Sequence, residues 1–320
     1  MNLLIQVFDQ FCRCDKRSFP FDKNPFFLGS WHTKARFAFR GDKLRHYRRV
    51  FAITCLWLGL LCAANSEAVF AASGRVTIES GGAMRTAILV EHARLKKSRR
   101  PVIIILHGGG GNAIRTRHML GLEERARSAS PVMVYPEAAD KFWSSAATPG
   151  DGRDVTFIHD LTAKLISEGI ADRHRIFVVG TASGGLLALK LACGGMDLAG
   201  VVAIFAALPV DLEASCKPAH ALPFLLILGT ADPLVPYNGG TGNLVDSKAE
   251  LLSGKATLDL FGRAAGCGDA HTTAAYADHD VKDKSRAFLD KLSGCKVPVE
   301  MLRVEGGGHL LPRIGTLSFG

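Results

Sequence analysis

The sequence lacks most of the patterns that assign a chain quickly. No GKS or GKT follows its glycine-rich stretches, and the Gly-x-Gly-x-x-Gly spacing at a helix start is missing, which argues against a phosphate cradle. No CxxC pair and no Cys/His cluster with zinc spacing is present, so no metal is expected. The apolar run Val50–Ala64 has 15 apolar or small residues, short of the roughly 20 that cross a bilayer. Internal repeats and low-complexity segments are also missing. Acidic residues are scarce, 30 against 39 Lys and Arg, for a net charge of +9. Such a charge suggests nucleic acid until it is located. The first fifty residues carry 11 Lys/Arg and 4 Asp/Glu, so +7 of the +9 belongs to the front of the chain and only +2 to the rest. Nucleic-acid binding is therefore not expected. What remains, 48% apolar and 22% charged over 320 residues, is the composition of a globular protein with a sizeable core.

The front reads as an export signal. "KLRHYRR" (Lys43–Arg49) is a basic region, Val50–Ala64 an apolar one, and "EAVFAAS" (Glu67–Ser73) a small-residue cleavage stretch with Val69 and Ala71 at the −3 and −1 positions. Residues 1–71 are accordingly expected to be a leader, with the signal at 43–71, and residues 72–320 a single domain. The expected location is secreted or periplasmic, with the export signal as the one link to a membrane. Residues 1–42 are an unusually long lead-in, which suggests that translation starts later. Export would leave four cysteines, Cys193, Cys216, Cys267 and Cys295, and an even count in an oxidising compartment suggests two disulfides with three possible connectivities.

After Ser73 the chain alternates. Strands are expected at Met84–Ala93, Pro101–His107, Val132–Pro136, Ile176–Val179, Val201–Phe205, Phe224–Leu228 and Val297–Gly306. Helical spacing covers Asp154–Glu168, where Val155, Ile158, Leu161 and Leu165 share a face and Gly169 is a stop, and also Leu186–Cys193. Short apolar strands between helices predict an α/β domain with a mostly parallel sheet covered on both faces. The polar stretch Gly239–Gly294 is expected to be an excursion or cap.

In such a sheet ligands sit beyond the carboxyl ends of the strands, and three informative clusters come directly after strands. "LHGGGGN" (Leu106–Asn112) offers glycines whose N–H groups can approach an oxyanion with no side chain in the way; His107 is expected to brace this loop. "LLILGTADPLVPYNGG" (Leu225–Gly240) places Asp232 in a proline-stiffened turn, where it can orient a histidine or simply bond its own backbone. "VEGGGHLLP" (Val304–Pro312) places His309 after a strand and three glycines. A fourth stretch, "RIFVVGTASGGLLALKLAC" (Arg175–Cys193), has the strand–turn–helix form of a nucleophile elbow, succeeded in chain order by an acid and a histidine.

With these motifs the chain resembles the secreted poly(3-hydroxybutyrate) depolymerase and feruloyl esterase group of α/β-hydrolases. The resemblance spans roughly Pro101–Pro312 and rests on "LHGGGGN", "VYPEA" with Trp143 downstream, "DVTFIHDL", "DRHRIFVVGTASGG", "GTADPLVPYNGG" and "GGGHLLP". It implies the α/β-hydrolase fold, ester substrates in polyesters or plant-wall aromatic esters, and no cofactor. It also implies Asp232 as triad acid, His309 as triad base, Gly108 and Gly109 at the oxyanion hole, and the pairings Cys193–Cys216 and Cys267–Cys295.

Two departures stand out. The elbow wants Gly-x-Ser-x-Gly, but Ala182 lies between Gly180 and Gly184, and the serine, Ser183, stands one place late. Either Ser183 is a shifted catalytic nucleophile in a Thr-x-Ser-x-Gly frame, or Ala182 holds the nucleophile position and the chain is a vestigial hydrolase that binds without turning over. The family also continues past its histidine into a final helix, whereas only "LLPRIGTLSFG" comes after His309, so the C-terminal helix is expected to be missing.

Overall fold

A computed structural model describes residues 71–92, 99–126, 129–144, 152–244, 247–278 and 281–310. The export signal, Cys12, Cys14, Cys55 and Cys62, and the stretch where a C-terminal helix would be sought lie outside the described residues, apart from Ala71–Ser73 of the expected cleavage stretch.

Among the described residues, twelve strands and six helices succeed one another in an order that the apolar runs largely foreshadow. They are β1 (Ala71–Ser80), β2 (Ala83–His92), β3 (Arg100–Leu106), α1 (Ala113–Leu120), α2 (Leu122–Arg125), β4 (Val132–Pro136), α3 (Arg153–Ser167), β5 (Ala171–Thr181), α4 (Ser183–Cys193), β6 (Gly200–Ile204), α5 (Val210–Glu213), β7 (Phe224–Gly229), β8 (Gly240–Leu244), β9 (Ser247–Leu251), α6 (Gly254–Ala264), β10 (His271–Ala275), β11 (Arg286–Leu292) and β12 (Val299–Glu305). Ten strands form one sheet in the order β1-β2-β4-β3-β5-β6-β7-β12-β11-β10, and β8 and β9 make a separate hairpin. The six strands from β4 to β12 run parallel, while β1 and β2 at one edge and β10 and β11 at the other pair antiparallel.

The pleat sends alternate residues to opposite faces, so the parallel strands feed two cores. Ile104, Leu106, Val178 and Leu226 pack on one face with Phe157, Leu161 and Leu165 of α3, Leu187 and Leu191 of α4, and Phe261 of α6. Ile103, Ile105, Val179 and Ile227 pack on the other with Ala113 and Leu120 of α1. Helix α3 stops at Gly169, whose φ of 73° lets its N–H turn back to the Ile166 carbonyl. Its first turn buries Asp154, which pairs with the buried Arg85 and accepts from the N–H and hydroxyl of Ser144.

The polar stretch Gly239–Gly294 divides: the β8–β9 hairpin is an excursion outside the main sheet, whereas after α6 the stretch contributes β10 and β11 to the main sheet itself. Every residue of β10 is exposed, and in β11 only Leu289 is buried, so these edge strands carry no apolar alternation to read. Strand β1 is likewise absent from the strands expected on apolar pattern.

Two disulfides close the fold locally. Cys193, at the end of α4, bonds Cys216, and Cys267 bonds Cys295, with sequence separations of 23 and 28. Loops of this size restrict the unfolded chain by about 3 kcal/mol each. Replacing Cys267 and Cys295 by serine is therefore expected to lower unfolding stability by about that amount, read from the denaturant midpoint; an unmoved midpoint would contradict it.

Candidate active site

Because the central strands are parallel, their carboxyl ends share one rim, and each informative loop leaves from it. Strand β3 runs into His107–Gly111, β5 into Ala182, β6 into Phe205, β7 into Asp232 and β12 into His309.

The glycine loop is held from below. His107 is fully buried; its Nδ1 donates to the Gly108 carbonyl at 2.8 Å and its Nε2 accepts from the Ala138 N–H at 3.1 Å. Burial pushes the imidazole down from its ordinary value, against the opposing pull of the Gly108 carbonyl and of Glu137 and Asp154, so the ring serves as a neutral brace. Trp143 Nε1 donates to the His107 carbonyl at 2.8 Å, and Gly110 N–H to the Lys141 carbonyl at 2.9 Å. The ring of Phe142 lies over the loop, 3.0 Å from where a β-carbon on Gly109 would sit.

At the end of β5 the chain turns sharply. Ala182 has φ 50° and ψ −118°, a conformation that costs an L-residue of order 1–3 kcal/mol and gathers at functional sites. The turn is tight enough to require glycine at both flanks. A β-carbon on Gly180 would lie 2.1 Å from the Gly184 carbonyl oxygen, and one on Gly184 2.5 Å from the His107 carbonyl oxygen. The apex of this elbow is thus Ala182, whose N–H donates to the Ile204 carbonyl at 2.8 Å. Ser183 is the first residue of α4, 1% exposed, and its hydroxyl has no hydrogen-bond partner among the described residues. That hydroxyl lies 3.5 Å from a β-carbon position on Gly109, while the Ala182 methyl lies 3.5 Å from one on Gly108. The glycine loop and the elbow are therefore in contact.

Asp232 and His309 meet 77 residues apart in sequence. The β7 and β12 loops are laced by Thr230 N–H to the Val304 carbonyl, Ala231 N–H to the Gly307 carbonyl, and Gly306 N–H to the Thr230 hydroxyl, at 2.9, 2.9 and 3.0 Å. His309 Nδ1 then donates to Asp232 Oδ2 at 2.7 Å, while Asp232 Oδ1 accepts from the N–H groups of Leu234 and Val235 at 2.8 and 3.0 Å. The Asp232 side chain is fully buried and that of His309 is 18% exposed. Burial alone would raise the Asp232 carboxyl; the bond from His309 and the two backbone N–H groups outweigh it and hold the group below the ordinary carboxylate range. Nδ1 is thereby committed to Asp232, and Nε2 is the nitrogen left for chemistry.

Phe205 was not singled out from the sequence. It comes directly after β6 with a φ of 51° and packs its ring 5.0 Å from that of His309, centroid to centroid. Its position at the end of a parallel strand, next to the Ile204 carbonyl that receives Ala182 N–H, is the signal that could have found it.

The site therefore combines a strained elbow, a braced glycine loop and a buried carboxylate–imidazole pair. Among the described residues no group of three or more His, Cys, Asp or Glu could hold a metal ion, and no helix is long and apolar enough to cross a membrane. No family model matches the chain. The chain is 31% identical over 238 residues to NocK of Nocardia uniformis subsp. tsuyamanensis, a protein named as an esterase, covering 69% of this chain and 67% of that protein. It is 25% identical over 220 residues to feruloyl esterase B of Piromyces equi, covering 65% of this chain and 39% of the relative. The acetyl xylan esterase structure from Aspergillus awamori superposes with a TM-score of 0.57 at 12% identity, over 75% of this chain and 95% of that one, which speaks for the fold alone. With this architecture and these relatives, the chain belongs to the feruloyl esterase-like family of α/β-hydrolases, which are carboxylic-ester hydrolases.

Proposed function

We propose that the rim is an ester-binding site in which the acyl-enzyme route is closed. An ester carbonyl would lie over Ala182, its oxygen facing the N–H of Gly109 or Gly108 and that of Ser183, the residue after the apex. Asp232 holds His309 in the tautomer whose Nε2 can accept a proton. The observation that carries the reading is the positive φ at Ala182 between two obligatory glycines, which supports position 182 rather than 183 as the place of attack. A methyl group cannot attack a carbonyl. What remains is water attack, with His309 removing the proton and the amides stabilising the oxyanion, worth roughly 10³–10⁴ over the uncatalysed reaction.

The alternative, Ser183 as a displaced nucleophile, requires a hydroxyl free to reach both an ester and His309 Nε2. The burial of Ser183 and the absence of a His309 bond to it among the described residues weigh against that. The substrate class is an ester of an aromatic acid, supported by relatives named feruloyl esterases; of the polyester and aromatic classes, the relatives' names favour the second. Location outside the cytoplasm is supported by the two disulfides.

The test is pre-steady-state hydrolysis of p-nitrophenyl acetate by the native chain. Slow, linear release of p-nitrophenol with no burst is expected. A burst proportional to enzyme would reveal an acyl-enzyme and overturn the proposal.

A further inference from the structure

We infer that Phe205 is the positioning residue for His309, a flat wall that fixes the plane of the imidazole and keeps water from its bond to Asp232; the inference rests on the reading above in which Nε2 of that ring serves the ester site. The His309 loop does not hold its own side chain. Its lacing to the β7 loop ends at Gly307, Gly308 comes next, and on the far side of His309 Leu310 is 84% exposed. The bond from Nδ1 to Asp232 Oδ2 fixes one atom of the imidazole. A lone hydrogen bond tolerates a broad range of angles at its acceptor, so the ring can still swing about that bond, and a swing carries Nε2 away from the atom it has to reach. A second point of contact is needed.

Phe205 supplies it. Its ring lies 5.0 Å from that of His309 between centroids and is inclined to it by 39°, within the spacing at which aromatic rings attract. Phe205 is itself firmly anchored. It is buried in the core that holds Ile105, Val179 and Ile227, and its N–H donates to the Ile227 carbonyl at 2.8 Å. The carbonyl just before it, that of Ile204, accepts from the Ala182 N–H at 2.8 Å. One short segment therefore carries both the support of the elbow apex and the ring that faces His309. The φ of 51° at Phe205 lies in the left-handed region that a bulky residue seldom adopts. Strain of this kind persists where the surroundings over-determine it, and it gathers at functional sites. Filling the core does not call for it, because a leucine or methionine occupies most of the same space without a flat face.

Proton NMR of the full native chain and of Phe205→Leu and Phe205→Met tests this through the Nδ1 proton of His309, assigned by its loss in His309→Asn. Both substitutes are apolar and unbranched at the β-carbon, so the inference does not depend on one variant folding. In the native chain the proton is expected at low field and slow to exchange with water. In either variant its exchange should quicken roughly tenfold or more, as for a bond opened to solvent. The Nδ1 proton of His107, bound to the Gly108 carbonyl, should keep its native rate. In the Ala182→Ser background, either substitution should lower kcat on p-nitrophenyl acetate on the order of 10²-fold with KM little changed, the effect of about 1 Å of misplacement. An unchanged Nδ1 exchange rate in a folded variant would overturn the inference, and so would equal quickening at His107, which would mean a general loosening. A rise in KM with kcat kept would make Phe205 a substrate wall and overturn it too. An inactive Ala182→Ser protein would overturn the ester-site reading instead, and the exchange rates on the native background would still decide whether Phe205 holds the ring.

Discussion

Serine in place of Ala182 is expected to raise turnover of p-nitrophenyl acetate by at least on the order of 10³-fold, because removing a triad serine costs about 10⁶ in turnover while the remaining site keeps only part of the acceleration. The expectation is unusually large for one oxygen atom, and its reason is geometric. The elbow already has its strained φ and its two close-packed glycines. The Asp232–His309 bond is in place. A burst of p-nitrophenol should accompany the gain, since the new route passes through an acyl-enzyme. Folded Ala182→Ser protein with unchanged turnover would mean that position 182 does not face His309 Nε2.

The second large effect concerns Asp232. In the Ala182→Ser background, Asp232→Asn is expected to lower kcat on the order of 10⁴-fold with little change in KM, because the amide turns the imidazole to the wrong tautomer and cannot support its cation. A loss in KM alone would instead make Asp232 a wall of the substrate site. The same residue predicts a pH effect on the native chain. Its carboxyl is held below the ordinary carboxylate range in the folded state, so the unfolded chain takes up a proton before the folded chain does as pH falls. The stabilisation is therefore full above the ordinary carboxylate range and is lost as pH drops through the folded value. The melting temperature of native protein should fall in that acid window, and that of Asp232→Asn should fall less.

The parallel middle of the sheet was readable because its strands are buried on both faces: "VIIIL", "VMVY", "VVAI" and "FLLIL" cannot be anything solvated. Both edges escaped. The exposed "HTTAA" of β10 and the mixed "AASGRVTIES" of β1 owe their strand form to pairing with a neighbour rather than to any pattern of their own. The candidate site was legible for a different reason. Glycines, an acid before prolines and a histidine after glycines each stand just past an apolar strand, and parallel strands bring the loops at their carboxyl ends to one rim. The elbow frame was harder. Letters alone leave Ala182 and Ser183 adjacent and interchangeable by a one-residue shift; the backbone angle at 182 and the overlap of any side chain at Gly180 or Gly184 distinguish them. Phe142 and Phe205 stayed hidden because nothing in a lone phenylalanine says which loop its ring will cover.

The central claim is that position 182, not 183, is the point of nucleophilic attack in this fold. Treatment of native protein and of Ala182→Ser with a fluorophosphonate, then peptide mapping, tests it most directly. No adduct on the native chain and a single adduct at position 182 in the variant are expected. An adduct on Ser183 of the native chain would contradict the account.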